Sequence, residues 1–174
     1  CAPELKRLAF FPGSSIGNFE LEEAARFLRQ LRALLGADGV LLIGVDLKKD
    51  TRVLHAAYND AQGVTAEFNL NLLRRLQREL GAQLDAGGFR HESFYDDKLG
   101  RIEMHLVSRR AQQIRIGHEV FHFDKDERVH TENSYKYSVE EFQALARRAG
   151  YDPQSVWTDA DRLFSVHCLR VSRS

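Results

Sequence analysis

The chain has 174 residues, 25 of them basic and 25 acidic, so its formal net charge is zero. That balance points away from nucleic acid and from an anionic membrane surface as partners. No apolar run approaches the roughly 18–20 residues a membrane span needs. Two cysteines, Cys1 and Cys168, stand at opposite ends and form neither a disulfide framework nor a zinc spacing, which suits a reducing cytoplasm.

The chain opens at Cys1-Ala-Pro-Glu without a Met and reaches a strand within a few residues. The expectation is that the beginning of a longer protein is absent. Residues 8–11 read as a short apolar strand, followed by a turn of small residues up to Asn18 and an acidic helix start at Glu20, Glu22 and Glu23. Strand, small-residue turn, helix is how an open α/β sheet presents a ligand at the carboxyl end of a strand. Gly13 and Gly17 allow close approach of backbone, and Asn18 carries an amide that both donates and accepts. The plainer alternative makes Asn18 the N-cap of the helix.

Leu21, Ala24, Ala25, Leu28, Leu31, Leu34 and Leu35 recur at helical spacing, and Gly36 closes that helix. Residues 40–46 are a continuous apolar run, as expected of a strand buried on both faces, with Asp46 at its carboxyl end. Residues 8–46 thus read as a βαβ unit with a right-handed crossover. Residues 52–58 suggest a short helix and 66–80 a longer one, with Phe68, Leu72, Leu73, Leu76 and Leu80 on its face. From Phe89 the pattern has period 2, through Ile102, Met104 and Leu106, then Ile114 to Phe123, then 128–136. This reads as an antiparallel meander with 124–127 as a hairpin loop. Ser138 caps a further helix carrying Phe142, Leu145 and Ala149 on its face, and Gly150 ends it. A short strand from Asp152 to Trp157 and a final strand, 163–171, follow. The fold class expected is α/β: half of a doubly wound domain, residues 1–48 and 137–174, interrupted by an α+β insertion at 49–136.

His118-Glu-Val-Phe-His122 matches a zinc-helix pattern, but it lies in a strand-like run directly after Gly117. On a strand its two imidazoles stand about 13 Å apart, out of reach of one ion, so these read as surface histidines. Glu132 and Ser134, i and i+2 on a strand, share a face. A carboxylate beside a hydroxyl can clamp a small cationic or N–H-bearing group such as imidazole. The alternative is a solvated strand face. Tyr58 can offer a phenol to a carboxylate or be a half-buried aromatic, and Met104 alternates inward as core would. No persuasive nucleophile–base order, P-loop or G-x-G-x-x-G is present.

Several blocks together resemble the histidine Nα-methyltransferase family, the S-adenosylmethionine enzymes that make trimethylhistidine (hercynine) for ergothioneine biosynthesis. They are Phe11-Pro-Gly-Ser-Ser-Ile-Gly-Asn18, Gly44-Val-Asp-Leu-Lys-Lys-Asp50, Ala57-Tyr-Asn-Asp60 and Gly63-Val-Thr-Ala-Glu-Phe-Asn69. Arg78-Glu-Leu-Gly81, Ile102-Glu-Met104, Thr131-Glu-Asn-Ser-Tyr-Lys-Tyr137 and Trp157-Thr-Asp159 continue in order. The resemblance covers essentially the whole chain.

It implies that 1–48 and 137–174 are the later part of a class I methyltransferase sheet whose last strand runs antiparallel, and that 49–136 is a substrate-binding domain. It implies that Asn18 and Tyr58 are catalytic and hold the amino acid's amino and carboxylate groups. Glu132, Asn133 and Ser134 would line the substrate, Glu132 and Ser134 holding the imidazole, and Met104 would pack on the ring. The implied cofactor is S-adenosylmethionine, with no metal, and the partner is L-histidine. The full-length protein would be a cytoplasmic monomer. The family's glycine-rich cofactor loop and ribose-binding acid would lie upstream, leaving this polypeptide inactive alone. The alternatives are a relative acting on another amine, which Glu132 with Ser134 disfavours for indole substrates, and a non-catalytic amino-acid-binding module.

Overall fold

A computed structural model describes residues 6–172, so Cys1 lies outside the described residues, and Cys168 is a free thiol. The chain divides into two compact units, residues 1–49, 98–101 and 133–174 in the first, and 50–97 and 102–132 in the second. Residues 133–136, expected within the insertion, thus go with the first unit.

In the first unit, β1 (Leu8–Phe11) is followed by a single 3-10 turn, Ser15–Asn18, and then by α1 (Leu21–Leu35) and β2 (Val40–Asp46). β2 lies beside β1 in parallel, as a βαβ unit requires. The cap of α1 is Glu20, not Asn18, and the Glu20 backbone N–H donates to Glu23 Oε2 at 3.1 Å. Asn18 instead ends the 3-10 turn. The buried stripe of α1 is Ala24, Ala25, Leu28 and Leu35, narrower than the expected face, and Leu34 is 67% exposed. At about 100° per residue Leu34 lies on the flank of that stripe rather than in it.

α4 (Val139–Arg148), β8 (Tyr151–Thr158) and β9 (Phe164–Val171) complete the unit. Ser138 Oγ accepts from the Glu141 N–H at 3.1 Å while the Ser138 N–H donates to Glu141 Oε2 at 2.7 Å, a reciprocal capping box. The sheet order is β1-β2-β9-β8, and β9 runs antiparallel to both neighbours. β8 is longer than expected. Its Pro153 falls at a register shift on the sheet edge, where the missing N–H costs no ladder bond. Leu28, Leu41, Ile43, Val45, Phe142, Tyr151 and Leu169 meet in the core of this unit.

The second unit starts with α2 (Thr51–Tyr58), capped by Asp50, whose carboxylate accepts from the Arg52 N–H at 2.8 Å. α3 (Val64–Leu80) follows, and Asp60 Oδ2 and Oδ1 accept from the Val64 and Thr65 N–H groups, each at 2.9 Å. Its expected apolar face is only half used: Leu73 is buried and Leu76 packs on the core, whereas Phe68, Leu72 and Leu80 are exposed. The inward position beside Leu73 is taken by Asn69, whose amide donates to the His105 carbonyl at 3.1 Å.

The strands are β3 (Phe89–Asp96), β4 (Arg101–Ser108), β5 (Gln112–Ile116), β6 (Glu119–Phe123) and β7 (Arg128–Tyr135). They do not form one meander. β3-β4-β7 make one sheet, and β5-β6 form a separate antiparallel hairpin. Residues 124–127 are therefore not a hairpin loop. They carry the chain between sheets, and the Asp126 N–H donates to the Ser108 carbonyl at 2.8 Å. Period 2 identifies strands but says nothing about which strand each pairs with. Among the described residues, no helix is long and apolar enough to cross a membrane.

Candidate functional site

The turn after β1 reaches the carboxyl edge of the first unit's sheet. Ser14, in the left-handed region at φ 59°, puts its Oγ 2.7 Å from the Asp46 N–H and so ties the turn to the end of β2. A Cβ at Gly17 would stand 2.7 Å from the Tyr135 carbonyl oxygen, so only glycine lets this turn lie against β7. Asn18 follows directly and is exposed. The turn therefore presents the amide of Asn18 from a backbone pinned on both sides.

Asn133, Ser134 and Tyr135 end β7 in the same unit. The Asn133 amide nitrogen donates to Glu20 Oε1 at 2.9 Å, and the Tyr135 hydroxyl donates to Glu20 Oε2 at 2.6 Å. Arg101 joins them, 2.8 Å from Glu20 Oε1 and 2.7 Å from the Tyr135 oxygen. The Tyr135 hydrogen bond, helped by Arg101, holds the Glu20 carboxyl below its ordinary range. Burial, then the Glu20 carboxylate, pushes the Tyr135 phenol up. Asn133 is thus committed to the start of α1, and its Oδ1 is buried without a hydrogen-bond partner.

Ser134 is buried, and its Oγ accepts from Lys136 Nζ at 2.9 Å. Lys136 is 2% exposed and pairs with Asp46 Oδ2 at 2.6 Å, while Asp46 Oδ1 takes Lys49 Nζ at 2.5 Å. The sequence reading noted Asp46 and Ser134 but missed Lys136. Its signal was present: Lys136 continues the two-residue alternation of Glu132 and Ser134, and an inward lysine demands a carboxylate.

In the second unit, Tyr58 ends α2 and packs on the cluster of Leu54, Ile102 and Met104 together with Tyr95. Its carbonyl accepts from Ser93 Oγ at 3.2 Å, which fixes the residue that carries the phenol. Met104 is buried beside it, so these two candidates meet in one cluster. Thr131 Oγ1 donates to the Met104 carbonyl at 2.9 Å, joining β7 to β4 one residue before Glu132. The His130 ring lies with Nε2 3.2 Å from the Glu132 carbonyl oxygen.

Glu103, His105 and His130 bring ligand-type atoms within 4.8 Å of one another. The rings of Phe94, His105 and His130 form a stack, at 5.3 and 4.8 Å, with the two imidazoles only 16° from parallel. A ring nitrogen binds a metal in the ring plane at about 2 Å, and two stacked planes offer no common point at that distance. The arrangement is a cross-strand stack, with Glu103 Oε2 3.0 Å from His105 Nε2. His118 sits in the β5–β6 turn and His122 on β6, both exposed, so the zinc-helix pattern has no helix to act on.

A cavity of about 460 Å³ in the second unit is lined by Leu72, Leu76, Phe89, Leu106 and Phe123. Its rim charges, Arg75 and Glu79, bond each other at 3.1 and 3.0 Å. A zwitterionic amino acid needs polar partners that this lining does not offer.

A model of the family described as histidine-specific, SAM-dependent methyltransferases matches residues 2–171. The chain belongs to that family. It is 40% identical over 156 residues to the histidine N-alpha-methyltransferase of Mycolicibacterium smegmatis, covering 88% of this chain and 49% of that protein. To ergothioneine biosynthesis protein 1 of Neurospora crassa it is 37% identical over 164 residues, covering 92% and 18%. The chain thus spans about half the length, or less, of these curated relatives. Among solved structures, an S-adenosylmethionine-dependent methyltransferase from Clostridium acetobutylicum aligns over 98% of this chain and 61% of that one, with TM-score 0.50 and 11% identity. That likeness is one of fold, the class I methyltransferase α/β architecture.

The space a Cβ would take at Gly17 and Gly44, near the carboxyl edge of the sheet, is already filled by the Tyr135 backbone and the Phe164 ring. Asp46, the carboxylate at the end of β2, is held by two lysines.

Proposed function

We propose that the full-length protein trimethylates the α-amino group of L-histidine to hercynine, with S-adenosylmethionine as methyl donor, in the ergothioneine route. The observation that carries this reading is the family match across residues 2–171. S-adenosylmethionine supplies a methyl group on a readily leaving sulfonium, so the work left to protein residues is positioning. Residues 50–97 and 102–132 serve as the substrate-binding domain and the rest as methyltransferase core. The full-length protein acts as a monomer in the cytoplasm; for the compartment, the support is that the two cysteines of this chain have no disulfide spacing.

Asn18 takes the amino group and carboxylate of the substrate with one amide, which orients the nitrogen lone pair. Because the amide is neutral, it does not favour the ammonium as a carboxylate would. Tyr58 donates its phenol to the substrate carboxylate, and Met104 packs behind it. Glu132 accepts the imidazole N–H, and Ser134 completes the clamp two residues along the strand. Asn133, between them on the opposite strand face, acts through Glu20 by holding β7 to the start of α1.

Calorimetry of the full-length protein with L-histidine tests the clamp. Glu132→Ala is expected to weaken binding by about 1–3 kcal/mol, the loss of a charge-assisted hydrogen bond. Unchanged affinity would reject the imidazole assignment. A methyl-transfer assay offering histidine and tryptophan side by side tests the substrate. Transfer to tryptophan alone would replace this reading with a relative acting on another amine.

A further inference from the structure

We propose that Tyr135 is a positioning residue for the amino-acid head group of the substrate: it grips the chain on both sides of Asn18, by its backbone at Gly17 and by its hydroxyl at Glu20, and so sets where the Asn18 amide stands. This inference deepens the reading of Asn18 as the residue that takes the amino and carboxylate groups, and it rests on that reading.

The first grip is steric. The backbone one residue before Asn18 lies so close to Tyr135 that a Cβ at Gly17 would stand 2.7 Å from the Tyr135 carbonyl oxygen and 3.3 Å from its nitrogen. The second grip is a hydrogen bond two residues after Asn18, at the cap of α1. Only Asn18 and Phe19 stand between the two, and Phe19 is itself stacked on Phe27 with centroids 5.3 Å apart. All of these residues belong to the first unit.

The direction of the second grip follows from what each group can do. Arginine only donates, so the Tyr135 oxygen accepts from Arg101 Nη1 at 2.7 Å. An ionised carboxylate only accepts, so the single phenol proton goes to Glu20 Oε2 at 2.6 Å. Burial, then that carboxylate, holds the phenol's pKa up, so the proton stays on Tyr135. A hydroxyl committed in this way serves the chain and not the reaction, which makes Tyr135 a positioning residue. Tyr135 is buried in the core that includes Ile16, and the Arg101 guanidinium carbon lies 5.2 Å from the centre of its ring. The anchor is therefore firmer than the turn it holds. Without the hydroxyl, the start of α1 keeps only its bonds to Arg101 and Asn133, and any swing of Glu20 passes through Phe19 to Asn18. A misplacement of about 1 Å at a substrate-holding group can cost about 100-fold.

The test compares L-histidine with 4-methylimidazole, which keeps the ring and lacks the amino and carboxylate groups, in competition calorimetry on the full-length protein. Tyr135→Phe keeps the ring and the backbone contact at Gly17 and removes only the hydroxyl. It is expected to narrow the preference for histidine by about fivefold while leaving 4-methylimidazole nearly unchanged. Asn18→Ala should narrow the preference at least as far, and the double variant no further than Asn18→Ala alone, because both losses act through one amide. A merely structural tyrosine would weaken both ligands alike, or add its loss to that of Asn18→Ala, and either result overturns the proposal. Should Tyr135→Phe fail to fold, Glu20→Gln, which removes the charge at the other end of the same bond, is expected to narrow the preference in the same direction. An unchanged preference in the folded variant overturns the role of Tyr135 and leaves that of Asn18 intact. An unchanged preference in Asn18→Ala would overturn both.

Discussion

Phe142→Ala is expected to destabilise the first unit by about 3–5 kcal/mol, the range for truncating a fully buried aromatic. Phe142 projects from the inner face of α4 and is 0% exposed. Its ring meets Tyr137 edge-on, with centroids 5.5 Å apart at 73°, and lies 4.8 Å from the His167 ring. Truncation would leave a cavity walled by two rings that are themselves held, Tyr137 by its bridge to Leu47 and His167 by β9, so little collapse is available to fill it. Domains of this size are stable by about 5–15 kcal/mol, and the loss is a large fraction of that. Chemical denaturation of the purified variant gives the number directly. A loss under about 1 kcal/mol would mean that α4 does not pack as described.

The second large effect is acid sensitivity through His167. Its ring is 0% exposed on β9, and burial pulls its pKa from 6.5 down to about 4. Ser165 Oγ donates to the Val45 carbonyl at 3.2 Å, so its only proton is spent. The His167 Nε2, 3.0 Å from that oxygen, is therefore the donor, and the ring is the neutral Nε2–H tautomer. The other nitrogen, Nδ1, is buried without a partner. Protonating it would create a buried cation with no acceptor.

Between pH 6.5 and about 4 the unfolded chain binds a proton that the folded one refuses, so stability rises with pH across this window. It is fully present above 6.5 and falls as pH drops toward 4. A fall from 6.5 to about 4 corresponds to about 3 kcal/mol in total. Carboxylates held low in the fold, Glu20 and Asp159 among them, contribute only below their ordinary values of 4.5 and 3.8. The upper part of the window therefore belongs to His167. Unfolding free energy measured from pH 7 to 5 should decline in the natural protein and stay flatter in His167→Leu. Equal slopes would show that the ring protonates freely in the fold.

Much of this architecture was legible in the chain itself. The helices around Leu28, Leu73 and Phe142 and the strand at Val40 announce themselves by local periodicity and by capping residues such as Ser138 and Asp50. These signals act over a few residues, which is why they survive without tertiary context. The family blocks, from Phe11 to Asp159, are local in the same sense. What sequence determined, then, was the kind of each element and most of its limits.

Pairing and partnership were decided only by the tertiary structure. Alternation marked 114–123 and 128–136 equally as strands, yet β5–β6 folds into its own hairpin and β7 pairs with β4. A strand's period reports its two faces and nothing about its neighbour, because ladder hydrogen bonds join backbone groups that every residue has. For the same reason Asn133 could not be told from its neighbours until Glu20, 113 positions away, was found holding its amide. Lys136 looked like one more polar residue on a strand until Asp46 and Ser134 closed around it. The partner of a buried polar group is chosen by the fold, and only long-range contact reveals it.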